Sequence, residues 1–92
     1  MSKRILIIDD DKDIREATQI CLEILGEWEV ISAASGKEGL ATAAAEVPDA
    51  ILLDVMMPDM DGLTTFERLQ DNPVTKNIPV ILLTAKAQPA EK

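Results

Sequence analysis

The 92-residue chain has room for one small domain, and 47% apolar with 28% charged residues is the composition of a folded globular unit. Its 9 Lys and Arg stand against 17 Asp and Glu, a net charge of −8 at pH 7, which argues against nucleic acid or anionic lipid as a partner. One cysteine and no histidine exclude intrachain disulfides, zinc sites and His-based triads, so any bound metal must be oxygen-ligated.

Met1-Ser2-Lys3-Arg4 opens like a signal peptide, but the apolar stretch Ile5 to Ile8 stops at Asp9, too soon for one. No apolar run approaches the ~20 residues that a bilayer requires. A cytoplasmic location without membrane contact is expected. Arg4 to Ile8 predicts a strand covered on both faces. Lys12 to Leu25 places Ile14, Ala17, Thr18, Cys21, Leu22 and Leu25 at helical spacing, an amphipathic helix whose inward face includes Cys21 as an inert buried thiol. Asp11 can cap its start, and Gly26 suits the left-handed position past its end. Trp28 to Ala33 reads as a second, less apolar strand.

Ser35 and Glu38 are spaced for a capping box, opening a second helix with Leu40, Ala43, Ala44 and Val47 inward and Pro48 at its end. Ala50 to Leu53 is a third strand. Leu63 to Asp71 predicts a third helix with Leu63, Phe66 and Leu69 inward, stopping before Asn72-Pro73, and Pro79 to Leu83 is a fourth strand. This alternation implies an α/β fold with a mostly parallel sheet, whose ligands bind beyond the carboxyl ends of the strands where strand order reverses.

Asp9 and Asp10 end the first strand, Asp54 the third and Thr84 the fourth, so three carboxylates and a hydroxyl converge on that edge. Mutual repulsion there calls for a cation, and carboxylate and carbonyl oxygens suit Mg2+, with phosphoryl transfer as the chemistry. A carboxylate directly after Ile51-Leu52-Leu53 is costly unless partnered, which favours a functional role over a plain strand ending. Asp11 reads as a helix cap. Met56, Met57 and Met60 read as packing of a tight loop around Pro58, Asp61 and Gly62, not as a copper site.

The acidic pair Asp9-Asp10, the run from Asp54 through Met57-Pro58 to Asp61-Gly62, and Thr84-Ala85 together resemble the receiver domains of bacterial two-component response regulators. The resemblance spans essentially the whole chain and implies a flavodoxin-like doubly wound parallel sheet. It implies Asp54 as phosphoacceptor, Asp9, Asp10, Asp54 and the backbone carbonyl of Met56 as Mg2+ ligands, and Thr84 as hydrogen-bond partner of the phosphoryl oxygen. The implied partner is a histidine kinase or phosphotransfer protein, and the implied protein modifies itself rather than turning over a metabolite.

Strand starts recur about every 25 residues, so five units of such a fold need roughly 125. Residues 1–92 are therefore expected to form a receiver incomplete at its C-terminus, with a fourth helix only begun in Gln88 to Lys92. The fifth strand, the last helix, the family's lysine after strand five and its aromatic switch residue are expected to have no counterpart within residues 1–92. Val80 to Leu83 would then be an unprotected edge, and self-association as a dimer is expected. Two other readings stand beside the receiver: a fragment acting mainly in protein interaction or dimerisation, and an aspartate-nucleophile phosphatase using Asp9. The latter rests on Asp9-x-Asp11 after an apolar strand, although Lys12-Asp13 stands where a Gly-Thr turn would be expected.

Overall fold

The structure is a computed structural model that describes residues 3–57 and 60–83. In chain order it contains β1 (Arg4–Ile8), α1 (Lys12–Gly26), β2 (Glu29–Ala33), α2 (Gly36–Glu46), β3 (Ala50–Asp54), α3 (Gly62–Asp71) and β4 (Val80–Leu83). The four strands form one parallel sheet in the order β2-β1-β3-β4. The fold is the expected flavodoxin-like α/β arrangement. Thr84 and the helix expected to begin in Gln88 to Lys92 lie outside the described residues.

The central position of β1 follows from its composition. Ile5, Leu6, Ile7 and Ile8 are at most 3% exposed, because apolar side chains on both faces of a strand need cover on both. Leu6 and Ile8 point into the main core with Ile51, Leu53, Ala43, Leu69 and Ile78. Right-handed crossovers put α1 over one face, and α2 and α3 on the other, where they pack together. Small residues let α2 approach closely: a methyl group at Gly39 would strike the side chain of Ile8.

Local chemistry sets the helix ends. Asp11 caps α1 by accepting from the Asp13 and Ile14 amides, as expected. Ser35 Oγ accepts from the Glu38 amide at 3.1 Å, and Glu38 reaches back to the Ala34 amide at 2.7 Å, a capping box shifted by one residue on its return arm. An Arg4–Glu46 ion pair at 2.8 Å joins β1 to the end of α2.

Several side chains differ from the sequence expectations. Gly26 belongs to α1, and Glu27 takes the left-handed position with φ 57°. The glycine instead makes room for Trp28, whose indole atoms would lie 2.5 and 2.7 Å from an added Cβ. Cys21 is exposed and Leu25 is 83% exposed, because α1 turns Ile14, Thr18 and Leu22 toward the sheet. Val47 is not on the inward face of α2 but follows its last residue, at φ 43° and 49% exposed. Leu63 is 54% exposed, and Thr65 takes the inward place with Leu69. Residues three apart rotate by 300° about a helix, so Leu63 drifts about 120° from Leu69, whereas Thr65 lies one turn below it.

Candidate functional site

Strand order reverses between β1 and β3, since the chain passes to one side of β1 through α1 and returns to the other through α2. The register pairs Ile8 with Leu53, so Asp9 and Asp54, one step further, stand side by side at the carboxyl edge. Asp9, Asp10 and Asp54 each bring a carboxylate oxygen within 4.8 Å of the other two. The three acidic residues singled out from sequence thus meet in one place.

Asp9 and Asp54 are each 1% exposed, whereas Asp10 is exposed. At that separation two ionised carboxylates repel by about 3–4 kcal/mol, taking an effective dielectric constant near 20. Burial adds a desolvation cost to the two inner ones. A donor set of anionic oxygens suits a hard divalent cation and disfavours soft metals.

The surrounding backbone holds this pocket. The Asp9 amide donates to the Ala33 carbonyl at 3.1 Å, its carboxylate accepts from the Asp11 amide at 2.9 Å, and its carbonyl accepts from Arg15 Nη1 at 2.8 Å. The Met56 amide donates to Asp54 Oδ1 at 3.1 Å. Beyond it, the Val55 carbonyl accepts from the Gly62 amide at 2.9 Å, closing the loop that leads into α3. Met57, 7% exposed, packs into the core, whereas Met56 is 58% exposed.

Asp61 caps α3, and hydrogen bonds from the Thr64 amide and hydroxyl hold its carboxyl below the ordinary value of 3.8. Its carbonyl accepts from Thr65 Oγ1 at 2.9 Å. Leu83 pairs with Asp54 in the β3–β4 register; Thr84, the next residue, lies outside the described set.

Sequence reasoning passed over Arg15, Thr65 and the close approach at Gly62. Arg15 carried a signal: a cation in the first turns of a helix opposes the helix dipole, and such a misfit needs a compensating acceptor. Thr65 was hidden by its polarity, yet it is fully buried because its hydroxyl is satisfied within the helix.

The sheet order and the acidic reversal point define a flavodoxin-like α/β protein with a carboxylate pocket. The profile of the response regulator receiver domain matches residues 5–92. The response regulator PleD of Caulobacter vibrioides is 50% identical over 88 residues, covering 92% of this chain and 18% of that protein. The DNA-binding dual master transcriptional regulator RpaA of Synechocystis is 45% identical over 89 residues, covering 97% of this chain and 36% of the relative.

Among solved structures, the N-terminal domain of a response regulator receiver protein from Methanoculleus marisnigri superposes with a TM-score of 0.87 at 42% identity, over 95% of this chain and 70% of the other. The receiver domain of the sensor histidine kinase PA1611 from Pseudomonas aeruginosa, solved with magnesium coordinated in its active site cleft, gives 0.86 at 27% identity, over 92% and 69%. The chain belongs to the response regulator receiver family. It spans well under half the length of the curated relatives named here.

Proposed function

We propose that this protein is the phosphoacceptor module of a two-component phosphorelay, taking a phosphoryl group onto Asp54 from a histidine kinase or phosphotransfer protein. The observation that carries the reading is the meeting of three carboxylates, two of them buried, at the reversal point of the sheet. Asp9, Asp10, Asp54 and the backbone carbonyl of Met56 would hold Mg2+, as the oxygen-only donor set suits that ion. Bound there, it would supply the positive charge that cancels repulsion between an anionic nucleophile and a phosphoryl group.

Asp54 supplies the nucleophile. One of its carboxylate oxygens forms the new P–O bond while the P–N bond of a donor phosphohistidine breaks, and the imidazole leaves with a proton from solvent. The Met56 amide, donating to Oδ1, fixes the orientation of the carboxylate before attack. Thr84 is assigned to the phosphoryl oxygen by the family pattern, where a charge-assisted hydrogen bond would couple modification to the following segment. The product is an acyl phosphate on the protein itself, so the module acts as a switch and not as a turnover enzyme.

The remaining assignments follow from the same reading. The module acts in the cytoplasm, and among the described residues no helix is long and apolar enough to cross a membrane. Ile81 and Leu82 on β4 are 52% and 39% exposed, which supports self-association through that flank. Incubation with Mg2+ and a small phosphodonor, followed by mass mapping of a base-labile adduct, tests the proposal. Labelling at Asp54 that disappears in Asp54→Asn supports it, and labelling at Asp9 points instead to a phosphatase-like nucleophile.

A further inference from the structure

We propose that Arg15 is a positioning residue of the acidic pocket, acting through the Asp9 carbonyl to set where the Asp9 and Asp10 carboxylates stand. The inference rests on the phosphoacceptor reading, because it concerns the ion that the pocket is suited to hold.

Arg15 lies in the opening turns of α1, where a cation opposes the positive end of the helix dipole. It is nevertheless part-buried, and its Nη1 donates to the Asp9 carbonyl at 2.8 Å, back across the turn from β1 to α1. That carbonyl belongs to the peptide linking Asp9 to Asp10, so fixing it fixes the direction in which both side chains leave the backbone. The Asp9 amide is held by Ala33 of β2 and its carboxylate accepts from the Asp11 amide. Arg15 adds the restraint at the carbonyl, so that Asp9 is held at its amide, its carboxylate and its carbonyl.

Position and charge predict opposite outcomes. If Arg15 mattered only as a nearby positive charge, its removal would deepen the negative potential of the pocket and tighten binding of a divalent cation. If it positions the acidic pair, removal lets the peptide rotate and scatters the ligand oxygens, and binding weakens. Outer partners of ligands commonly act in this second way.

The test is titration calorimetry of the full chain with MgCl2, for wild type, Arg15→Lys, Arg15→Gln and Arg15→Met, with metal-free thermal midpoints recorded alongside. Arg15→Met keeps the apolar stem, so the fold is retained where Arg15→Gln loosens it. The expected result is roughly tenfold weaker Mg2+ binding in Arg15→Gln and Arg15→Met. Rescue to near wild-type affinity is expected in Arg15→Lys, which can still donate to the carbonyl. Unchanged or tighter binding in the Gln and Met variants overturns the role of Arg15 even where their midpoints fall, since a purely structural residue would lower the midpoint alone. Absence of binding in wild type overturns the phosphoacceptor reading itself, and this inference with it.

Discussion

Gly62 packs directly against the backbone of Asp54: a Cβ built at Gly62 would lie 2.5 Å from the Val55 Cα and closer still to the Asp54 carbonyl oxygen. The Gly62 amide meanwhile donates to the Val55 carbonyl, so the start of α3 is pressed onto the backbone of Asp54 and Val55. No side chain fits there without moving β3. Gly62→Ala is expected to destabilise the fold by about 1–3 kcal/mol through overpacking. It should also reduce phosphoryl labelling of Asp54 beyond what lost stability explains. Urea unfolding and labelling at a temperature where the variant is fully folded separate the two effects.

Val47 holds a left-handed conformation at φ 43°, which a β-branched residue adopts only at a cost, and its side chain is half exposed. Its amide still closes α2 by donating to the Ala43 carbonyl at 2.9 Å. Val47→Gly removes the steric conflict and keeps that bond. The expected gain is about 0.5–1 kcal/mol after the glycine's greater unfolded-state freedom is allowed for. In a domain of this size 1 kcal/mol raises the melting temperature by about 4–8 °C. A lower melting temperature would show that burial of the valine outweighs its backbone strain.

The lowered Asp61 carboxyl ties the capping of α3 to pH. Its folded value lies below its unfolded one, so its contribution is present above pH 3.8 and is lost as pH falls through the lower folded value. Wild type should therefore unfold at higher urea than Asp61→Asn near neutral pH, with the gap narrowing as pH falls below 3.8. A gap that stays constant across this range would mean that the charge adds nothing to the cap.

The two faces of the sheet are expected to respond differently to truncation. Leu69→Ala empties a fully buried site in the main core and should cost about 2–5 kcal/mol. Cys21→Ser, on exposed α1 surface, should stay within about 0.5 kcal/mol of wild type. Equal losses at both positions would place Cys21 in a packed environment, against the fold described.

That contrast marks where the sequence was legible. Ile5 to Ile8 and Ile51 to Leu53 announced central strands because only a strand covered on both faces is apolar at every position, and the acids following them placed the pocket. Asp11 and Ser35 marked helix starts because capping is a local bond between neighbours in sequence. Helix faces were less legible. In α1, Ala17, Ile20, Cys21 and Ile24 form a second apolar stripe beside that of Ile14, Thr18 and Leu22, and periodicity alone cannot choose between them. Gly62 meets the backbone of Asp54 and Val55, a contact that no pattern of side chains encodes, and the placement of Arg15 at the start of α1 hints at an acceptor without saying that it is the Asp9 carbonyl.

The central claim is that the Asp9, Asp10 and Asp54 carboxylates form one pocket relieved by a divalent cation, and thermal unfolding of wild type and Asp10→Asn with and without Mg2+ tests it most directly. The account predicts that Asp10→Asn melts above wild type in metal-free buffer, because one repelling charge is gone. It also predicts that Mg2+ stabilises wild type by about 2–3 kcal/mol at a hundredfold excess over its dissociation constant, while the variant gains far less. Equal responses of the two proteins to Mg2+, or a metal-free variant no more stable than wild type, would contradict it.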